Sequence, residues 1–464
     1  MSHASAAEAL PTGNRYVSVL KLAMPTVIAM VSQSAVNEID IVFFRHLPGT
    51  EATNGQAMLL PALLIVWLFG GSLGAISVGT QALVGRRYAE KRYEAAGAVL
   101  ANAAWFTLIA GVIFTCLGEL LLPLLVAKKS TNAEMAQLMT DYSRWRIFGV
   151  ISMACTMAIK AFFDGIGRTY VHFISAIVMN VFNVLFCWMF IFGHLGAPRM
   201  GAPGAGVAAF LATWIGLFIM VGFAWRVRHD FKPLRWAHLS RGLIWSMLKL
   251  SLPAAIAIVV MASGFNWFQG AAQHLDQLAK NKDSTTTAVN AAAMTAVIGV
   301  LKLTLTACIG FGTATATFVS QSLRRKQPDE ASRYGWASVR LGILIFGFIG
   351  LCEGAFFTEQ IVAFVCAEDV RTTAMLPMRM VGLITPAIAV ALILSEALFG
   401  AGATKFVAAA QLLLVFLVLV PGAYIGAHYL GMVGIWVAAC AYGSGAAITM
   451  STKFARGGWK RIEL

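Results

Sequence analysis

Apolar segments of about 20 residues or more recur from one end of this chain to the other, broken only by short polar stretches. No other feature narrows the fold as much. A segment of that length crosses hydrocarbon as a helix, because backbone groups in lipid must find their hydrogen-bond partners within the segment itself. The other architecture that spans a membrane, an outer-membrane barrel, would show shorter segments of alternating polarity. Composition agrees: the 464 residues are 59% hydrophobic and 12% charged, too little polar surface to cover a soluble core. The expectation is an all-α polytopic membrane protein with twelve transmembrane helices, near 17–47, 56–84, 95–127, 142–163, 170–193, 204–225, 245–275, 286–323, 336–357, 377–400, 405–429 and 432–453.

The formal charge of +14 invites a nucleic-acid reading, but its distribution argues against one. Arg86, Arg87, Lys91 and Arg92 follow helix 2, Arg226, Arg228, Lys232, Arg235 and Arg241 join the halves, Arg324, Arg325, Lys326 and Arg333 follow helix 8, and Lys453, Arg456, Lys460 and Arg461 end the chain. All fall on the side of the N-terminus, whereas the opposite loops hold fewer, such as Lys128, Lys129, Lys280 and Lys282. The positive-inside rule then puts both termini in the cytoplasm, with the chain in the inner (plasma) membrane. The first residues, MSHASAAEALPTGNR, lack a basic start, an apolar run and a cleavage site, so the first membrane helix is expected to direct insertion. The seven cysteines form no CxxC pair and sit mostly in apolar runs, as packing residues do.

The chain also repeats itself. LKLAMP at 20–25 recurs as LKLSLP at 248–253, and His46-Leu47 recurs as His274-Leu275. VGRRYAEKRYEAA corresponds to VSQSLRRKQPDEA, GIGRT (165–169) to GAGAT (400–404), and GAPGAGVAA (201–209) to GMVGIWVAA (431–439). Each copy holds six helices, an even number, so the copies enter the membrane in the same orientation and form a parallel pseudo-two-fold repeat. The expected organisation is an N-terminal lobe at 1–225, a basic cytoplasmic linker at 226–244 and a C-terminal lobe at 245–464. Two such lobes suit a cavity that opens alternately to each side. No HExxH, GxSxG or complete phosphate loop is present, and no loop is long enough for a nucleotide-driven motor, so an enzyme or a pump is not expected.

Taken together, MPTVIAMVSQSAVNEID, GRRYAEKRYEAA, FFDGIGRTYVHFISAIVMNVFNVLFCWMFIFG and LFGAGAT resemble the multidrug and toxic compound extrusion (MATE) family over about residues 15–450. The resemblance implies a twelve-helix, V-shaped antiporter that expels organic cations in exchange for protons or sodium. It implies that the helix 1 aspartate, here Asp40, is the principal ion-binding carboxylate of the first lobe. Pro25, fifteen residues earlier, matches the proline at which some proton-coupled members bend helix 1. Family members often carry Asn and then a second Asp or Asn on helix 5. Asn183 takes the first place and Cys187 the second, which puts a two-carboxylate relay in doubt. The family's helix 6 threonine lies nearer Ala209, so Thr213 is a weaker counterpart. Sodium-coupled NorM-like members carry acidic residues on helices 7 and 10. The matching positions here are Met261 and about Ile388, which favours the proton-coupled DinF-like branch.

Physical reasoning reaches Asp40 independently. A carboxylate at membrane depth costs about 2.5–3.5 kcal/mol to insert, so it is expected to face a cavity or a partner. Gln33, Asn37 and Asp40 form one polar stripe of helix 1, continued by Phe44, and Asn180, Asn183 and Cys187 form another on helix 5. The alternatives are an Asp40 at the outer interface paired with Arg45 or water, and asparagines that only bridge helices. Lys302 lies near the middle of helix 8, where it must face the cavity or pair; in the cavity it would oppose cationic cargo. Glu396, one turn before GAGAT, is a cavity candidate or reaches the cytoplasmic interface. Lys160 and Asp164 read as an interfacial ion pair, and Glu119 and Glu353 as structural. Trp67, Phe69, Phe265, Trp267 and nearby methionines offer an adaptable lining for a broad-specificity site.

The function expected is antiport of an organic cation against protons, with sodium the less favoured ion and no further cofactor. The protein is expected to be a monomer whose partners are its small-molecule cargo and the bilayer, with no nucleic acid. The alternatives are a flippase for a lipid-linked saccharide or an exporter of an anionic metabolite, for which Lys302 is the main argument. A passive channel fits the two-lobed repeat less well.

Overall fold

A computed structural model describes residues 14–127, 133–232, 239–282, 289–366, 368 and 370–462. Among the described residues there is no strand. The long helices of the first half are α1 (Arg15–Arg45), α2 (Gly49–Gly74), α3 (Ile76–Ala89), α4 (Tyr93–Ala127), α5 (Ala133–Phe148), α6 (Val150–Gly165), α7 (Tyr170–Phe192) and α8 (Ala202–Arg226). After the short α9 (Arg228–Phe231) come α10 (Arg241–Lys282), α11 (Val289–Arg324), α12 (Pro328–Leu351), α13 (Thr358–Val365), α14 (Arg371–Gly400), α15 (Thr404–Leu414) and α16 (Val420–Arg456). Two π-helical turns interrupt the second half, Cys352–Phe356 after α12 and Val415–Leu419 after α15.

Among the described residues, eleven stretches are long and apolar enough to cross a membrane, and the last of them, Thr404–Arg456, runs to 53 residues. It contains two helices, because Gly431 breaks the helical path at φ 61°, ψ −138°. The chain is therefore the expected all-α, twelve-helix polytopic membrane protein. In the first half, two of the helices depart from a single rod. Helix 2 consists of α2 and α3, joined at Ala75, and helix 4 consists of α5 and α6, joined at Gly149.

By its contacts the chain divides into two compact units, residues 28–255 and residues 1–27 with 256–464. In the first, α7 packs on α8 and α6 packs on α3 and α4. Phe44, Met58, Tyr142, Ile147 and Ile191 fill its core. In the second, α14 is the central helix, packed by α11, α12 and α16, around Phe268, Met294, Val297, Ile435 and Trp436. Large side chains such as Leu120, Leu344, Phe364 and Leu383 stand exposed. In water they would form a liability; in hydrocarbon they are the contact surface.

The repeated motifs also repeat in backbone conformation. Gly167 of GIGRT and Gly402 of GAGAT both have positive φ, 78° and 86°. The hydrogen bonds around them match: Arg168 N–H to the Phe163 carbonyl in one half, Ala403 N–H to the Leu398 carbonyl in the other. Gly201 and Gly431 share nearly the same conformation, φ 59°, ψ −140° against φ 61°, ψ −138°. Lys91 and Lys326, non-glycine residues at φ 60° and 58°, close the basic turns after α3 and α11 alike. Left-handed backbone is costly for lysine, so its recurrence at matching turns marks one inherited loop geometry.

Candidate functional site

In the 28–255 unit, Asp40 on α1 is 5% exposed. The buried face of α7 runs through Ala176, Asn180, Asn183, Cys187 and Ile191, at the three-to-four-residue spacing of a helix stripe. The two faces meet. The Cys187 thiol donates to Asp40 Oδ1 across 3.4 Å and lies 3.9 Å from Asn183 Oδ1. Further along the same pair of helices, Asn180 Nδ2 donates to Ser32 Oγ at 2.9 Å, and the Ser32 hydroxyl bonds the Ala29 carbonyl. Two polar bridges thus tie α1 to α7, one of them directly through the carboxylate.

Two residues that the sequence did not single out complete the surroundings. Tyr142 on α5 is fully buried, and its hydroxyl has no hydrogen-bond partner among the described residues. It is within electrostatic reach of both Asp40 and Cys187. The Arg146 guanidinium lies 5.8 Å from the centre of the Tyr142 ring and also acts on the Cys187 thiol. Their i, i+4 spacing on α5 was legible, but which neighbour α5 would face was not. A buried carboxylate bonded by a thiol, with a phenol and a cation nearby, can change its protonation state among these side chains.

The other expected positions fall as follows. The side chains of Gln33, Asn37 and Arg45 lie outside the described residues. α1 runs through Pro25 as one continuous helix. Thr213 accepts from Ser152 on α6 at 2.9 Å and donates to the Phe210 carbonyl, so it joins α8 to α6 rather than to the Asp40 set. Lys160 and Asp164 form their ion pair at 2.6 Å. The pair is buried, with Asp164 1% exposed, where an interfacial position was expected. Glu119 pairs with Arg144 at 3.2 Å.

In the other unit, Lys302 stands on an exposed face of α11, while its neighbours Leu301 and Leu305 line an apolar cavity. Glu396 on α14 is half-buried and rests its chain against Gly312 on α11. The cavity is partly open to the outside, and neither Lys302 nor Glu396 is on its wall. Phe265, Phe268, Trp436 and Tyr442 supply aromatic surface. Phe268 and Trp436 meet edge to face at 5.4 Å, and the Tyr442 hydroxyl donates to Gln411 Oε1 at 2.8 Å. Met261 and Ile388, where a sodium-coupled member was expected to carry carboxylates, both line this cavity. Trp67 and Trp267, two of the expected lining residues, are instead more than half exposed, and Phe69 is buried in the core of the first unit.

Comparison with known proteins agrees with this geometry. The chain is 21% identical over 429 residues to the probable multidrug resistance protein YoeA of Bacillus subtilis, covering 89% of this chain and 88% of that one. It is 23% identical over 437 residues to the probable multidrug resistance protein NorM of Thermotoga maritima, covering 90% and 88%. Among solved structures, a MATE in the straight conformation superposes with a TM-score of 0.85 at 17% identity, over 96% of this chain and 97% of that one. A MOP superfamily transporter from Pyrococcus furiosus, for which a reverse polarity of the binding pocket suggests a different function, superposes at 0.86 and 16% identity, over 97% and 98%. These structural likenesses carry the fold. The sequence profile of the MatE family matches residues 25–189 and 285–425, in both halves of the repeat; this chain belongs to the MatE family of multidrug efflux transporters.

Proposed function

We propose that the protein is a secondary antiporter of the proton-coupled branch, exporting apolar organic cations from the cytoplasm by alternating access of two lobes, 1–225 and 245–464. Asp40 carries the coupling proton. It gives up that proton to the cytoplasmic side, cargo enters, and reprotonation from outside accompanies cargo release. The protein works as a monomer in the inner membrane with both termini in the cytoplasm.

The observation that carries this reading is the buried Asp40 carboxylate bonded by Cys187. A thiol can support a carboxylate that loses and regains a proton, but it makes a poor ligand for sodium, which favours oxygen donors. Asn180, through Ser32, holds α7 beside α1 one turn or more away, and Asn183 lies against Cys187 on α7. The absence of a carboxylate at Met261 and Ile388 supports the same preference. The aromatic cavity wall supports cationic cargo, since ring faces attract a cation while apolar area holds its body. Among the described residues that line it, no cationic side chain is present to receive a pyrophosphate.

The test is concentrative efflux of a fluorescent organic cation from proteoliposomes under an imposed proton or sodium gradient. The proton gradient alone is expected to drive it. Efflux driven by sodium, or by neither ion, would overturn the coupling assigned here.

A further inference from the structure

Glu353 was expected to be structural, and in the 256–464 unit it has an unusual setting. It occupies the π-helical turn Cys352–Phe356, directly after α12, and is 8% exposed. One carboxylate oxygen, Oε1, accepts the Thr304 hydroxyl of α11 at 2.8 Å. The other, Oε2, is buried and has no hydrogen-bond partner among the described residues. Its counterpart in the other unit, Glu119, differs in having Arg144 at 3.2 Å.

The groups around Glu353 are neutral. α11 presents Thr304 and the fully buried Cys308 thiol, which the Glu353 charge reaches. α13 presents Thr358, whose hydroxyl donates to the Glu353 backbone carbonyl at 2.9 Å. α14 lays Gly382 against Gly350 and Gly354. Lys302 on α11 and Arg379 on α14 are exposed, and neither makes an ion pair with Glu353; among the described residues no charged group does. An ionised carboxylate with one oxygen unsatisfied and no counter-charge is costly at this depth. A proton on Oε2 removes that charge and adds almost no volume, which suits an oxygen already enclosed by protein.

We propose that Glu353 is a second proton-binding site, built from Glu353 and Thr304 at the π turn, and that it exchanges its proton during the transport cycle. The location favours exchange over a permanent proton. A π turn is a local register fault that can migrate along a helix, and such turns gather at functional sites. The backbone here lies directly on α14 through Gly350, Gly354 and Gly382. A change of charge at Glu353 would therefore act on the packing of α12 against α14. This site rests on the transporter reading only for its place in the cycle; its titration does not.

The experiment is infrared difference spectroscopy of the purified full-length protein as pH is varied, following the carbonyl stretch of protonated carboxyl groups. Asp40→Asn alone is compared with Asp40→Asn combined with Glu353→Gln and with Thr304→Val. The expected result is a pH-dependent carboxyl band that is lost in Glu353→Gln. In Thr304→Val the band moves to higher frequency, because the hydroxyl no longer bonds Oε1. Thr304→Val keeps the shape of the site, so it also decides the matter should Glu353→Gln not fold. A band unaltered by both substitutions, or one assigned to Glu353 that stays constant at every pH tolerated by the fold, would overturn the proposal. Either result leaves the role of Asp40 to be decided by transport.

Discussion

Replacing Gly382 with alanine tests the close packing that organises the second unit. A methyl group built at Gly382 would overlap the Gly350 carbonyl oxygen and come within 2.5 Å of Gly354 Cα and 2.6 Å of Gly354 N. Ordinary contact begins at 3.4 Å, so α12 and α14 would have to separate by about 1 Å. All three neighbours are backbone, and no rotamer change relieves them. Overpacking costs about 1–3 kcal/mol where side chains can adjust, so the upper value, about 3 kcal/mol, is expected here. For a unit of this size that corresponds to a fall in melting midpoint of about 6–12 °C. The assay is loss of the monodisperse peak of detergent-solubilised protein after heating, read by fluorescence-detected chromatography. Gly299→Ala on α11 is the control, because nothing lies within 4 Å of a methyl group placed there. If Gly382→Ala melts with the wild type, the α12–α14 contact is not as tight as described and the argument for charge-sensitive packing at Glu353 loses its basis.

Other consequences can be measured in the same preparation. Cys187→Ala removes the thiol's bond to Asp40 and is expected to slow proton-driven efflux about 2–12-fold, from about 0.5–1.5 kcal/mol for the lost bond, whereas Cys187→Ser keeps most of the rate. Asp164→Asn leaves Lys160 buried without its counter-charge and is expected to lower stability by about 3–5 kcal/mol in a melting assay; Lys160→Met with Asp164→Leu should recover most of the loss. Phe265→Ala removes one ring from the cavity wall and is expected to raise the KM for an aromatic cation about 2–12-fold, from about 0.5–1.5 kcal/mol, with little change in kcat.

Much of this architecture was legible because it depends on local rules. Hydropathy gave the twelve helices, and glycine placement gave the paired turns, whose left-handed backbone at Gly167 and Gly402 only glycine adopts without strain. Helical spacing gave the Asn180–Asn183–Cys187 stripe. What periodicity cannot supply is which neighbour a face meets. The thiol at Cys187 looked like a gap in the ion site, yet it bonds Asp40 itself. Tyr142 and Arg146 escaped notice because the break at Gly149 divides their helix and orients α5 separately from α6. Lys302 was expected to face the cavity or a partner, and its face of α11 is an exposed one. The π turn that sets Glu353 apart changes the helical register within a few residues, and an averaged pattern of apolar positions does not register it.

The central claim is that the Asp40 carboxylate carries the coupling ion, and the most direct measurement is efflux of a fluorescent organic cation from proteoliposomes containing wild type or Asp40→Asn, under a proton gradient at several external pH values. Asn keeps the shape of the side chain and can still bond to Cys187, so loss of transport is not expected to reflect loss of fold. The account predicts concentrative, pH-dependent efflux by the wild type and none by Asp40→Asn. Normal efflux by Asp40→Asn with an unchanged pH dependence would contradict it.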